Sequence, residues 1–178
     1  MLCVLFVFTL SVSSAGQDRA ADAWEALGPT HIGHRFDEIT NDISLTCDGS
    51  TARQLCAMDA SATILFGGVP ARKIQAVFDD AHLSKVTVIF SDLQYPALLR
   101  FLTDRFGNGE DRSYVARAGM AGEFSAGVYL WRQAGVSVVI EQYAGKIDRG
   151  ALSYGSESAM AELVRKLTSY PRGARRDL

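Results

Sequence analysis

Hydrophobic residues recur along the chain with two periods, and each period predicts one kind of element. Three segments carry apolar residues three or four positions apart, which is the spacing of an amphipathic helix. Their apolar positions are Phe36, Ile39 and Ile43; Tyr95, Leu98, Leu99, Leu102 and Phe106; and Met160, Leu163, Val164 and Leu167. Ser91-Asp92 precedes the second segment and Ser156 the third, and these residue types commonly cap the start of a helix. The pattern therefore predicts three helices.

Between these helices, the apolar residues either alternate with polar ones or form short runs, as they do in β-strands. The predicted strands span residues 62–66, 73–78, 83–90, 122–131, 136–143 and 151–154. Residues 136–140 are apolar at nearly every position, which predicts a central strand covered on both faces. We predict an α+β fold in the order α-βββ-α-βββ-α, with an antiparallel sheet and the helices packed on one face. This order suggests tandem halves over about residues 33–91 and 92–156.

The first 15 residues have the features of an export signal. Residues 2–12 are an apolar run interrupted by Thr9 and Ser11, too short for a membrane span of about 20 residues but suited to the core of a signal peptide. Ser13-Ser14-Ala15 places small residues at the −3 and −1 positions, so cleavage is expected after Ala15. Because no Lys or Arg precedes the run, a buried N-terminal strand is the alternative interpretation.

Cleavage would leave a single domain over residues 16–170 and a frayed basic tail over residues 171–178. No second long apolar segment follows, so we expect a periplasmic or secreted protein with no stable membrane insertion. Of the three cysteines, Cys47 and Cys56 would remain. An even pair in an oxidising compartment predicts a disulfide, and the spacing fits neither a C-x₂-C redox motif nor a zinc site.

Composition and charge exclude several classes of protein. The chain is 48% hydrophobic and 21% charged, which is typical of a globular domain and not of a disordered chain. Eighteen Lys and Arg residues against 20 Asp and Glu give a net charge of −2, which offers no basic surface for nucleic acid.

A divalent metal site is conceivable near the first predicted helix. His31 and His34 are three residues apart, and Glu38 lies one helical turn after His34. The alternative is that Asp37 and Glu38 are first-turn carboxylates, which are favourable at the positive end of a helix. Gly33 between the two histidines supports the alternative, and we expect no bound cofactor.

Few other residues point to catalysis. His82 follows Asp79 and Asp80, so general acid–base chemistry is one interpretation and a polar hairpin turn is the other. Ser125 lacks the glycine spacing of a serine-hydrolase elbow. Residues 67–73 contain glycines and basic residues, but Pro70 removes an N–H group that a phosphate-binding loop would need.

Three aromatic residues are the better candidates for a binding surface. Tyr129 and Trp131 are two residues apart and share one face of a predicted strand. Tyr143 lies on the paired strand and could join them, depending on the register. An exposed aromatic face would anchor a protein interface, whereas the alternative is that the rings pack beneath the helices.

Two short motifs carry a resemblance to known proteins. Residues 33–39 read Gly-x-x-Phe-Asp-Glu-Ile, and the middle helix ends in Arg105-Phe106-Gly107. A short helix with the first motif, a meander and a helix with the second resemble small exported bacterial α+β proteins. The nearest are the β-lactamase inhibitor protein fold and the small lipoprotein of the outer-membrane assembly machine. Residues 77–88 are also similar to hairpins of uncharacterised proteobacterial periplasmic proteins.

The resemblance covers about residues 33–155 and implies protein binding rather than catalysis. No lipid-attachment cysteine follows the apolar run, and no binding residue is transferred. We therefore expect an exported module that binds another envelope or secreted protein through its sheet or loops, as an inhibitor, adaptor or assembly factor. Two alternatives stay open. One is a small hydrolase or metal-dependent enzyme that uses His31, His34 or His82 with nearby carboxylates, and the other is a carrier of an apolar ligand held between sheet and helices.

Overall fold

The computed structural model describes residues 22–40, 43–50, 52–58, 64–117 and 122–177, so the predicted signal peptide lies outside the described residues. The helices are α1 (Trp24–Leu27), α2 (Phe36–Ile39), α3 (Tyr95–Phe106) and α4 (Glu157–Thr168), with 3-10 turns at Pro29–His31 and Asp92–Gln94. The strands are β1 (Leu45–Ser50), β2 (Arg53–Met58), β3 (Ile64–Phe66), β4 (Val69–Ala71), β5 (Lys73–Asp79), β6 (His82–Ser91), β7 (Glu110–Asp111), β8 (Tyr114–Arg117), β9 (Glu123–Ala126), β10 (Val128–Gln133), β11 (Val136–Glu141), β12 (Arg149–Ser156) and β13 (Arg175–Asp177).

Eight of these strands form one antiparallel sheet in the order β1-β2-β5-β6-β12-β11-β10-β7. Since β12 lies between β6 and β11, the two predicted halves share one continuous sheet. Two smaller sheets lie apart from it: the β3–β4 hairpin, and a three-stranded sheet in which β8 pairs with β9 and β13.

Helices together with antiparallel sheets confirm the α+β class. The helices cover both faces of the main sheet, so the prediction of helices on one face is wrong. On one face, Leu98 and Leu102 of α3 share a buried cluster with Val88 of β6. On the other face, Met160 and Leu167 of α4 are buried in a second cluster with strand residues of β10 and β11. A strand that is apolar at consecutive positions has to be covered on both sides, which is what β11 requires.

The predicted α-βββ order is also wrong, and the first meander shows why. β3 does not join β5 and β6 but folds back onto β4, because Gly67 and Gly68 both take positive φ angles (60° and 76°) and form a tight turn. Two hydrogen bonds to a side chain hold this turn in place: the backbone N–H groups of Gly67 and Gly68 donate to the Asp22 carboxylate over 2.9 and 2.7 Å.

Two further segments differ from their predictions. Residues 122–131 are not one strand, because the chain leaves the small sheet at Gly127 and enters the main sheet as β10. A side chain at Gly127 would place its Cβ 2.4 Å from the Tyr95 hydroxyl, so this crossing point needs glycine. The tail is not frayed over its whole length, because β13 pairs in parallel with β8 and the Val115 N–H group donates to the Ala174 carbonyl over 3.0 Å.

The disulfide prediction is confirmed. Cys47 of β1 lies directly opposite Cys56 of β2, and the two are bonded. This hairpin forms one edge of the main sheet, where β1 buries little apolar area, so the disulfide fixes its outermost strand. None of the described helices is long and apolar enough to cross a lipid bilayer.

Candidate functional site

Trp131 sits where the last turn of α3 meets the main sheet. Side chains alternate along β10, so Tyr129 and Trp131 face the α3 side while Leu130 faces α4. The Trp131 ring is 5% exposed and its indole N–H group donates to the Gly107 carbonyl over 2.8 Å. This bond ties the ring to the residue that ends α3, so its position is fixed from two sides.

An apolar depression opens beside this ring, and we call it the Trp131 cleft. Its walls come from the first 3-10 turn, the end of α3 and the β10–β11 hairpin, and its volume is about 240 Å³. The lining residues are Pro29, Thr30, Phe106, Trp131, Gln133, Ala134, Val136 and Val138. Apolar carbon dominates the surface, and the polar groups of Thr30 and Gln133 belong to exposed side chains.

The rim of the cleft is shaped by a two-residue hairpin turn. Ala134 and Gly135 both take positive φ angles, 49° and 78°, which is the geometry that joins two antiparallel strands most tightly. Gln133 therefore pairs directly with Val136 at the mouth of the cleft. The Glu157 N–H group donates to the Gly135 carbonyl over 3.1 Å and holds the turn against the start of α4.

The structure brings Tyr129 and Trp131 together but does not present them as an exposed aromatic face, because Trp131 is buried and Tyr129 half-buried against the α3 side of the core. The ring centroids of Tyr129 and Trp131 are 6.2 Å apart on the α3 face. Tyr143 lies on the α4 face, where it packs edge-on against Phe124 at 5.0 Å. The predicted strand 136–143 ends at Glu141, so Tyr143 lies in the loop beyond β11 and not beside Tyr129.

The predicted metal ligands are exposed and only partly gathered. The rings of His31 and His34 are 5.1 Å apart, and Nδ1 of His34 is 3.9 Å from the Glu38 carboxylate. Within the described ranges, no three metal-binding side chains form a group that could hold an ion. Glu38 instead accepts the Arg35 N–H group over 3.0 Å at the start of α2, which is the role of a first-turn carboxylate. The Arg35 guanidinium lowers the pKa of the Asp37 carboxyl by donating a hydrogen bond to it.

His82 lies at the tight turn between β5 and β6. Its Nδ1 atom is 2.8 Å from the backbone carbonyl oxygen of Asp80, and among the described residues no carboxylate forms an ion pair with it. The turn residues Asp80 and Ala81 both have positive φ angles, 48° and 63°. The contacts of His82 therefore match those of a turn residue.

Several residues of the Trp131 cleft carry no periodicity that would have predicted them. Phe106 is recognisable as the last apolar residue of a helix, but its contact with the sheet depends on where that helix ends in space. Pro29 and Thr30 belong to a segment without periodicity. Trp131, Val136 and Val138 lie on strands that the hydrophobic pattern predicts.

No protein family, curated protein or solved structure matches this chain.

Proposed function

We propose that this protein is an exported, non-enzymatic module that binds another envelope or secreted protein, and that it does so by receiving one apolar side chain of that partner in the Trp131 cleft. The observation that carries the proposal is an apolar cleft of about 240 Å³ beside the buried Trp131 ring. Aromatic and apolar pockets of this kind hold the few side chains that dominate binding energy at protein interfaces.

The size of the cleft favours a side chain over a larger ligand. An apolar cavity of about 150 Å³ holds benzene, and pockets for drug-sized ligands have volumes of about 300–1,000 Å³. The volume here, about 240 Å³, lies between the two. It therefore suits a Phe, Leu or Met side chain presented by a protein, and it is small for the apolar-ligand carrier that the sequence left open.

The cleft is also held in place before anything binds. The Trp131 indole N–H group donates a hydrogen bond to the Gly107 carbonyl, and the ring centroids of Phe106 and Trp24 are 6.3 Å apart. Binding to a preformed cleft avoids much of the entropy cost of ordering mobile side chains. A partner residue would thus gain most of the apolar contact energy when it enters.

Export is the context that the covalent chemistry supports. A Cys47–Cys56 disulfide is compatible with an oxidising compartment such as the periplasm or the extracellular medium. In that setting the disulfide would keep β1 in the sheet without help from a large apolar contact.

Site-specific photo-crosslinking tests the proposal. A benzophenone side chain is placed at Thr30, on the rim of the cleft, and as a matched control at Thr46, an exposed threonine of the outermost strand β1. We expect a covalent adduct with one envelope or secreted protein from the Thr30 position only, and its crosslinked peptide should contain a large apolar residue. Equal adducts from both positions, or none from Thr30, would contradict the proposal.

A further inference from the structure

A second cleft lies on the α4 face, on the opposite side of the main sheet from the Trp131 cleft. It opens between α4, the loop that follows β11 and the strand β13, and its volume is about 580 Å³. This value falls within the range of about 300–1,000 Å³ that is typical of small-molecule sites. We call it the tyrosine cleft, because Tyr114, Tyr143 and Tyr170 line it.

Three tyrosines from different parts of the chain converge on this cleft: Tyr114 of β8, Tyr143 of the loop and Tyr170, just after α4. The Tyr114 hydroxyl donates to the Tyr143 carbonyl over 3.4 Å. The Tyr143 hydroxyl accepts a bond from the Gln142 amide over 3.2 Å. Tyr114 is almost fully buried, so it closes the floor of the cleft, whereas the half-buried Tyr143 and the exposed Tyr170 present surface to it.

The remaining lining combines apolar carbon with positive charge. Leu163 and Leu167 of α4 form one wall. The charged side chains that line the cleft are two cations, Lys166 and Arg175, and one carboxylate, Glu141. Arg175 lies 3.5 Å from Glu123, whereas the Lys166 side chain makes no ion pair within the part of the chain that the structure describes. A ligand with a negative group would supply Lys166 with a counter-charge.

From this combination we infer that the tyrosine cleft binds a small organic anion. The ligand would have an apolar or aromatic body of one or two rings, which packs on Tyr143, Tyr170 and Leu163. It would carry a carboxylate, sulfonate or phosphate group that pairs with Lys166. This site is independent of the protein-binding function proposed above, because the two clefts lie on opposite faces of the sheet and share no residue.

A pair of fluorescent probes tests both parts of the inference on the purified protein. The first is 8-anilinonaphthalene-1-sulfonate, an aromatic anion, and the second is N-phenyl-1-naphthylamine, which has the same rings without the sulfonate. We expect the anion to bind saturably at one site per chain. Lys166→Gln should weaken the anion about fivefold and leave the neutral probe unchanged, since one partly exposed ion pair contributes about that much.

Three further variants locate the site. Tyr170→Ala, at an exposed ring (43% exposed), should weaken both probes, because it removes stacking area and not charge. Lys73→Gln in β5 is the charge control, and Thr30→Glu is the control for binding in the Trp131 cleft; neither should change the affinity of the anion. The inference is overturned if the anion does not saturate, if Lys166→Gln weakens both probes equally, or if Thr30→Glu and not Tyr170→Ala abolishes binding.

Discussion

Gly109 offers the sharpest test of how tightly Trp131 is held. A Cβ atom at Gly109 would lie 2.6 Å from Cε2 of the Trp131 ring, with two more ring atoms at 2.8 and 3.0 Å. Since carbon atoms prefer a separation of about 3.5–4.0 Å, Gly109→Ala forces the ring or the loop to move by roughly 1 Å. A shift of that size would also break the 2.8 Å hydrogen bond between the indole and Gly107.

The expected cost follows from these two contacts. Overpacking a close-packed site costs about 1–3 kcal/mol, and the lost hydrogen bond adds about 0.5–1.5 kcal/mol. We therefore expect Gly109→Ala to lower the free energy of unfolding by about 2–4 kcal/mol and Tm by roughly 5–15 °C for a domain of this size. Urea denaturation, followed by tryptophan fluorescence and circular dichroism, measures the change.

A double-mutant cycle separates this clash from any general effect of alanine. In a Trp131→Leu background the ring is absent, so adding Gly109→Ala should cost less than about 0.5 kcal/mol. If Gly109→Ala is as harmful in that background as in the wild type, or if it is neutral in the wild type, then the ring is not fixed in the way described.

Three other predictions concern the stability of the fold. Tyr95→Phe should be neutral or stabilise the protein by up to about 1 kcal/mol, because the Tyr95 hydroxyl is buried without a hydrogen-bond partner in the described chain. Tyr154→Phe should instead destabilise it by about 1 kcal/mol, because it removes the 2.5 Å hydrogen bond to the Leu27 carbonyl. Urea denaturation of the two variants measures both effects. The free energy of unfolding should fall as pH rises above about 10, because burial raises the pKa of both tyrosines and the unfolded chain therefore loses their protons first. Unfolding curves at several pH values measure this slope. Tyr95→Phe should make the slope smaller, and an unchanged slope would mean that Tyr95 is solvated. Reduction of the Cys47–Cys56 disulfide should lower the unfolding free energy by about 2–3 kcal/mol, measured with and without dithiothreitol, and an unchanged value would show that β1 needs no covalent link.

The two long helices could be predicted because several local signals agreed. Apolar residues at helical spacing define one face of α3 and of α4. Ser156 caps α4 by accepting the Ala159 N–H group over 3.3 Å, and Gly107 ends α3 with a φ angle of 74°. The predicted Ser91-Asp92 cap of α3 is wrong, because a 3-10 turn over Asp92–Gln94 comes first and α3 begins at Tyr95 without a side-chain cap.

The β1–β2 hairpin could not be predicted in this way. Half of its residues are apolar, but nearly all of the pair is exposed or half-buried, and Cys56 is the one fully buried side chain in it. The strands form because β2 extends the sheet from β5 and the disulfide fixes β1 to β2. Both effects act across the sheet and leave no alternation in the local sequence.

Only the part of the candidate site that lies on a regular strand could be predicted from the sequence. The two-residue period of β10 places Tyr129 and Trp131 side by side, as expected. The opposite placement of Tyr143 depends on where β11 ends and on its pairing register, which sequence alone left open. The cleft itself arises from three segments that meet only in the folded chain.

The most direct test of the central claim is the affinity of the crosslinked partner for two matched variants, measured by isothermal titration calorimetry. Thr30→Glu puts a carboxylate on the rim of the Trp131 cleft, where binding would remove it from water, while Thr46→Glu puts the same group on the exposed strand β1. We predict that Thr30→Glu raises Kd about tenfold or more and that Thr46→Glu leaves it unchanged. An unchanged Kd for Thr30→Glu, with the fold intact, would contradict the claim that the partner's side chain enters this cleft.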